Sequence, residues 1–415
     1  MNKKLKTVSD IVQWRLCVGC GVCASVCPEH NVRLVDLPDE GIRPLLVDPG
    51  RCGSCDECLR VCPGYEYDNS EQQQRIGIIE ALSPYCGPVL ELWEGHASDP
   101  EIRFHGSSGG ALTALSLYCL EKKGMDGVLH IGQDPDDSIR NKTRLSRSRA
   151  ELLACSGSRY APASACDRLD LIENAGGPCV FVGQPSEIVA LRKAQRFRPA
   201  LAGKVGVALS FFCAGSPSTR GTSELLNRLG IDPSSLSGIR YRGNGWPGSF
   251  AATPNGQSTP ACEMSYRESW GFLQKFRPYS SHLWPDGTGE AADISCGDPW
   301  YRDVTPGEPG SSLLVVRTPA GREIIKGAIE TGYLVLTAAE PWKLLRSQEN
   351  LVNRRRVIWG RRLAFRAFGL PLTKLKGFPL FRLWLGLSFK EKLKSIFGTA
   401  RRIISRRYFR PLKNE

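Results

Sequence analysis

The 415-residue sequence has no run of about 18 uncharged apolar residues, the length an apolar helix needs to cross a membrane, so no such span is expected. Its opening stretch, from Met1 to Leu16, lacks the apolar core and cleavage site of a secretory leader, and a cytoplasmic chain is expected. Histidine is scarce. Of five, only His105 and His282 stand beside the chain's motifs, which leaves few candidate proton donors. Negative charge is nearly missing from one region. More than the whole of the net charge of +13 lies in residues 353–415, where only Glu391 and Glu415 oppose the lysines and arginines, and the rest of the chain is mildly acidic. Such asymmetry bears on partners rather than on fold. No nucleic-acid-reading module is recognisable, so nucleic acid is disfavoured as a partner.

Cysteine is the residue in excess. Of 16, eight form two runs: Cys17, Cys20, Cys23 and Cys27 before Pro28, and Cys52, Cys55, Cys58 and Cys62 before Pro63. Both read C-x2-C-x2-C-x3-C-P. In that pattern three cysteines of a run hold one [4Fe-4S] cluster and the fourth crosses to the other. A single run is open to a zinc-site reading. Two complete copies argue for two clusters, hence for a chain that moves electrons. With half its cysteines in cluster motifs, the chain suits a reducing compartment.

Residues 1–70 therefore read as a ferredoxin-type module, with a small hairpin predicted from 32–35 and 42–47 and a polar linker over 68–74. Strand and helix signals alternate through 71–345. Helices are predicted over 111–123, with Leu112, Leu115, Cys119 and Leu120 on one face, over 185–196, and over 322–330. Strands are predicted over 127–131, 178–183, 204–213, 312–318 and 333–337. The alternation argues α/β, with α+β left open because parallel pairing cannot be read from one sequence. Residues 346–415 form a basic helical tail, cut by Gly369, Pro371, Gly377 and Pro379. Its last piece opens with a capping box, Ser388 to Glu391. Phe389, Leu393, Ile396, Phe397, Ala400, Ile403 and Ile404 then recur at helical spacing among lysines and arginines, the pattern of a basic amphipathic helix.

The stretch Gly106-Ser107-Ser108-Gly109-Gly110 precedes a helix. Small residues there let a ligand approach the backbone, and the helix start offers N–H groups to a phosphate or a flavin oxygen. Alone it is equally an ordinary turn, and no Gly-Lys-Ser/Thr follows to make it a P-loop. Five segments follow it in order, the first four being Ser158-Arg159-Tyr160-Ala161-Pro162, Val182 to Lys193, Phe212 to Ser218, and Tyr241-Arg242-Gly243 with Gly245 to Gly248. The last is Ala292 to Asp298. As an ordered set, from the cysteine module to about residue 340, they resemble the beta subunits of coenzyme F420 hydrogenases and dehydrogenases.

That resemblance implies a mixed α/β domain binding FAD and exchanging electrons with iron–sulfur clusters, with coenzyme F420 or ferredoxin as carrier. It makes Ser107, Ser108, Gly109 and Gly110 the leading flavin-site candidates, with Tyr160, Tyr241, Arg242, Gly243, Asp293 and Asp298 behind them. Tyr241 to Gly243 also reads as a strand end with a solvated arginine, and the two aspartates as turn caps. No catalytic acid is assigned. The family commonly has cysteines at the positions of Ser186, Ser281 and Trp284, which with Cys213 look like ligands of a further cluster. Only Cys213 remains, so no third cluster is expected. Cys86, Cys119, Cys155, Cys166, Cys179, Cys262 and Cys296 read as small buried apolar residues.

The function expected is an iron–sulfur flavoprotein oxidoreductase with two [4Fe-4S] clusters and FAD. The alternatives are an electron-transfer subunit feeding a partner enzyme and a redox-sensing scaffold. The tail helix is open to docking on an anionic membrane face, which would make the chain peripheral to the inner face of the membrane, or to packing on its own enzyme.

Overall fold

The computed structural model describes residues 5–52, 55–305 and 307–412. The first four residues of the expected module, Gly53, Ser54, Pro306 and the last three residues of the tail lie outside the described residues. The N-terminal module is built on an antiparallel hairpin, β1 (Val32–Leu37) and β2 (Gly41–Leu46), with Val32 opposite Leu46. A short strand, β3 (Glu66–Asp68), leads out of it.

The main sheet uses β4 (Glu91–Ala97), β5 (Gly127–Gln133), β6 (Asn141–Ser146), β7 (Cys179–Gly183) and β8 (Val205–Phe211). A small antiparallel sheet of β9 (Leu236–Arg240), β10 (Ser249–Pro254) and β11 (Cys262–Ser265) interrupts it. The main sheet resumes with β12 (Ile294–Gly297), β13 (Ser312–Val316) and β14 (Leu334–Ala338), and the tail adds β15 (Lys374–Lys376). The eight strands run in the order β14-β4-β13-β12-β8-β7-β5-β6. β5, β7, β8 and β12 are parallel, and the flanking strands are antiparallel to their neighbours. The sheet is thus mixed, with a parallel centre.

The apolar run in β7 follows from burial on both faces. The two-residue period of a strand sends Val128, Val180 and Val207 to one side, against the Ala111–Glu121 and Pro319–Glu330 helices. It sends Leu129, Phe181 and Ala208 to the other, against Ile188 and Leu191 of the Pro185–Gln195 helix. The helix expected from Arg322 starts at Pro319, because Thr318 caps it by accepting the Gly321 N–H.

The cysteine module lies on the second face. Val22, Val26 and Val61 share a core with Ile188 and Leu191. The Ser164 hydroxyl donates to the Gly19 carbonyl at 2.7 Å, and the Cys166 N–H to the Cys20 carbonyl at 3.0 Å. The tail then closes over the module. β15 pairs in parallel with β3, Phe365 of the Glu349–Ala367 helix stacks on Tyr279, and the Leu412 N–H reaches the Gln13 carbonyl. A buried polar node joins the three parts. Glu290 accepts from Asn69 Nδ2 at 2.6 Å and pairs with Arg355 of the tail. Among the described residues no helix is long and apolar enough to cross a membrane.

The capping box at Ser388 forms and starts the Phe389–Ser405 helix. Its apolar seam is divided. Ser395, Thr399 and Ile403 face the protein, whereas Phe389, Phe397 and Ile404 are 76%, 64% and 58% exposed. Trp384 Nε1 donates to Ser395 Oγ, so small polar residues make the inward contact. Ile396 and Ile403 also pack inward, whereas Phe389, Leu393, Phe397 and Ile404 are left outside.

Candidate functional site

The two cysteine runs exchange their last members. Cys17, Cys20, Cys23 and Cys62 line one cavity. Cys27 stands with the second run: the Asn31 backbone N–H donates to Cys27 Sγ and its side chain Nδ2 to Cys52 Sγ, both at 3.3 Å. Gly21 sits in the turn of the first run at φ +80°, with Ser164 and Asp167 where a Cβ would lie, so the turn can press against the α/β domain only as glycine. The two groups differ in burial. Cys17, Cys20, Cys23 and Cys62 are buried, whereas Cys27, Cys52 and Cys58 are half-buried and Cys55 is exposed.

Burial, and then the neighbouring thiols, push Cys20 and Cys23 well up and Cys62 to about 12, the last opposed by Lys193. These thiols hold their protons until iron displaces them. Among the described residues no three His, Cys, Asp or Glu side chains converge as for a single metal ion. The inner four surround a void, which suits a cluster rather than one zinc ion. Lys193 Nζ donates to the Cys62 carbonyl at 3.0 Å and the Glu66 carbonyl at 2.8 Å, placing a cation beside the inner group.

A second assembly lies at the carboxyl end of the parallel strands, where open α/β sheets carry their ligands. The Ser107 hydroxyl accepts the Ser158 N–H at 2.6 Å. Ser108 Oγ meets Ser312 Oγ at 2.8 Å, and the Gly109 N–H donates to the same Ser312 oxygen at 2.8 Å. Gly243, at φ +103°, lies so close to the His105 carbonyl that a Cβ would sit 2.5 Å from it. Arg242 grips Asp298 with two bonds, of 2.9 and 2.7 Å, under the Tyr266 ring at 4.3 Å. Burial works against that charge, but Asp298 and Tyr160 hold the Arg242 proton well above its usual range. Trp246 donates to Asp298 at 3.0 Å and stacks on Trp300, which stacks on Tyr266. Ser156 Oγ, beside this loop cluster, is buried without a hydrogen-bond partner.

Two sequence candidates fall elsewhere. Tyr241 is a core residue of the small sheet, its hydroxyl bonded to Thr222 Oγ1 at 2.8 Å. Asp293 lies at the opposite end of β12 from Asp298. There it ties Arg192, the Ala208 N–H and Thr318 together at 2.8–2.9 Å, a structural clamp. Tyr160 packs on Trp270 and Tyr241, between the small sheet and Arg242. Arg242 is not solvated: it is buried and fully paired. Of the two histidines, His105 is exposed and bonded to Asn244. Burial, then the surrounding arginines, push His282 down to about 3 and keep it neutral. Cys86, Cys119, Cys166, Cys179 and Cys296 are buried, and Cys155 and Cys262 half-buried. Asn31 and Lys193 were not singled out by motif reading. Their one sequence signal is position, four residues after Cys27 and at the end of the Ala190 to Lys193 segment.

The positions where the family resemblance implies ligands of a further cluster also come together. Ser186, Cys213, Ser281 and Trp284 line a single cavity. The Cys213 thiol donates to Gln184 Oε1 at 3.6 Å and accepts the Gly215 N–H at 3.2 Å. Two hydroxyls, an indole and one thiol do not make a cluster ligand set.

Crossed cysteine groups on a mixed α/β sheet, with a small-residue loop at its carboxyl edge, define an iron–sulfur electron-transfer protein. Residues 16–64 match the 4Fe-4S dicluster domain. Residues 92–169 and 178–341 match the N-terminal and C-terminal parts of the coenzyme F420 hydrogenase/dehydrogenase beta subunit, and the chain belongs to that oxidoreductase family. Coenzyme F420-dependent sulfite reductase of Methanocaldococcus jannaschii is 26% identical over 343 residues, covering 78% of this chain and 47% of that protein. The chain thus spans about half the length of that relative. Coenzyme F420 hydrogenase subunit beta of Methanosarcina barkeri is 24% identical, over 60% of this chain and 82% of that protein. Among solved structures, a chain of the F420-reducing [NiFe] hydrogenase complex from Methanosarcina barkeri shares the fold, with a TM-score of 0.52 at 20% identity, over 71% of this chain and 98% of that one. The tail beyond residue 341 lies outside the family match.

Proposed function

We propose that the chain is an FAD-dependent iron–sulfur oxidoreductase that relays electrons between an outside carrier, its two cluster sites and a flavin at the carboxyl edge of the main sheet. The unequal burial of the crossed cysteine groups carries this reading. The exposed Cys55 end offers a face to a carrier, and the inner four thiols bring the path under the Pro185–Gln195 helix. FAD, when bound, interconverts hydride transfer and single-electron transfer. Ser107, Ser108 and Gly109 fix the loop that would hold it. The Arg242–Asp298 pair and the Trp246–Trp300–Tyr266 stack shield its flank, and Gly110 opens the helix whose first N–H groups face an anion. Asp293 and Tyr241 act as scaffold.

The test is anaerobic purification with iron and flavin analysis, followed by reduction with F420H2, ferredoxin or NAD(P)H side by side. About eight iron atoms per chain and bound FAD reduced by one carrier are expected. Absence of flavin refutes the reading in favour of a redox-sensing scaffold. A second reading, an electron-transfer subunit with no substrate of its own, is favoured by the relative named as a hydrogenase subunit. It predicts a stable partner enzyme on co-purification.

The tail supports a further part of the proposal: docking on an anionic membrane face. Phe381, Leu385, Phe389, Phe397 and Ile404 are exposed among Lys390, Lys394 and Arg401. Each inserted apolar side chain would contribute about 1.5–3 kcal/mol and each nearby cation about 1 kcal/mol. Salt-sensitive binding to phosphatidylserine vesicles, weakened by Phe389→Ser with Phe397→Ser, is the expected result. Unchanged vesicle binding by that variant rules the docking out.

A further inference from the structure

The cavity lined by Ser186, Cys213, Ser281 and Trp284 carries buried donors without partners. It lies where three parts of the chain meet: the hairpin supplies Arg43, the α/β domain the four residues just named, and the tail Arg354. Three of its buried N–H groups have no hydrogen-bond partner: Arg43 Nε, Trp284 Nε1 and Arg354 Nε. Their side chains are 4%, 8% and 8% exposed. Unpaired buried donors are costly, and the cost is recovered when an acceptor enters.

The remaining atoms of both arginines are engaged. Arg43 donates to the Ile42 carbonyl at 2.8 Å and pairs with Glu40 at 3.7 Å. Arg354 donates to the Ala214 carbonyl at 2.8 Å and the Cys213 carbonyl at 3.4 Å. Of the acids on the cavity wall Asp286 is fully engaged, whereas Glu40 keeps one buried oxygen, Oε2, without a hydrogen-bond partner. Asp286 accepts the N–H groups of Thr288, Gly289 and Glu290 at 2.8–2.9 Å, and Glu40 sits between Arg43 and Arg15. Arg277 adds a further cation near Cys213. Around the cavity Arg43, Arg354 and Arg277 outnumber Glu40 and Asp286, so positive charge is in excess.

We propose that this cavity binds a small oxyanion or carboxylate in the place where the family resemblance implies a third cluster. Three of the four thiolates such a cluster needs are replaced by two serines and a tryptophan, and their replacements, with two arginines, form an anion site. Its wall is shared with the inner cluster site, since Val18, Gly19 and Ile42 line both cavities, and Cys17 and Cys20 flank that segment. A bound anion is therefore a neighbour of the inner cysteine group and places its charge there. The proposal holds whether or not the chain carries FAD.

The experiment is calorimetric titration of the anaerobic full-length holoprotein with sodium sulfate, sodium phosphate and sodium acetate at constant ionic strength. Iron and flavin are counted in the same samples, and the reduced inner cluster is followed by EPR. Saturable one-to-one binding of at least one probe is expected, with a change in one cluster signal. Trp284→Phe keeps an aromatic ring and removes the N–H, and should weaken binding about tenfold. Ser281→Phe fills the cavity and should abolish it. Arg354→Lys keeps the charge and removes the orphan donor, and if it fails to fold the other two variants still decide. The proposal is overturned if no probe saturates, if affinity is unchanged in folded Trp284→Phe and Ser281→Phe, or if iron approaches twelve atoms per chain.

Discussion

Lys193 offers the sharpest test of how the α/β domain tunes the inner cysteine group. Its ammonium is held between the Cys62 and Glu66 carbonyls, at 3.0 and 2.8 Å. The Glu66 carboxylate is engaged by Lys376, so the Lys193 charge is not cancelled by its own neighbour. Reduction adds one negative charge at the inner cluster, and a fixed cation nearby favours it. At an effective dielectric near 20, unit charges separated by roughly 7 Å interact by about 2 kcal/mol. For one electron that is about 100 mV. Lys193→Met should therefore lower the inner potential by roughly 50–100 mV, the smaller figure allowing for water entering the site. Lys193→Arg, which keeps the charge, should move it far less. The outer group, around Cys27, Cys52, Cys55 and Cys58, is more exposed and should hardly shift, because screening by solvent is stronger there. EPR-monitored redox titration of the anaerobic protein reads both centres. Equal shifts in the two, or no shift in Lys193→Met, would refute the reasoning. The lost bonds to two carbonyls also cost about 1–3 kcal/mol of stability, which a parallel urea titration separates from the potential.

Three further outcomes follow from buried or vacated positions. Arg355→Met leaves Glu290 buried beside Asn69 without its cation, and should destabilise the protein by about 3–5 kcal/mol in urea unfolding; adding Glu290→Gln should restore much of that, and no recovery would count against the pairing. Burial lifts Glu187 to about 7, against the N–H groups of Ala165 and Gln184 that pull it down. The folded state then binds the Glu187 proton more tightly than the unfolded chain does, so this group's contribution to stability falls as pH rises from about 4.5 to about 7 and is level above. Glu187→Gln should flatten that slope relative to the parent, as read by thermal melts across the range; identical slopes would contradict it. The triple variant Ser186→Cys, Ser281→Cys, Trp284→Cys returns four thiols with Cys213 to one cavity and should raise iron from about eight to about twelve atoms per chain.

The hairpin, the core strands and the capped tail helix are legible in the chain because each rests on local rules, whereas their parallel pairing is not. Alternation places Val180 and Phe181 on opposite faces, and Ser388 with Glu391 closes a capping box wherever the helix lies. The loop at Ser107 to Gly110 was legible as a close-approach site, although its partner Ser312 stands some 200 positions away and leaves no local trace. Tyr241 and Asp293 show the limit of motif reading. They neighbour Arg242 and the residues leading to Asp298 in sequence, but the Tyr241 ring turns into the core of the small sheet and β12 separates Asp293 from Asp298, so one belongs to the core and the other to a clamp. The direction of the tail's apolar seam was equally illegible. Periodicity shows that a helix has an apolar arc, and only the partner surface decides which part of the arc is covered.

Sequence alone determined the cluster chemistry, because ligand type and spacing are local covalent facts. Tertiary structure decided the rest. It crossed Cys27 and Cys62 between the groups, buried one group and left Cys55 at the surface, and brought Lys193 to the inner four. It also gathered Arg43, Trp284 and Arg354 from distant segments around one cavity. Those relations depend on how layers pack, and packing is a property of the whole chain rather than of any stretch of it.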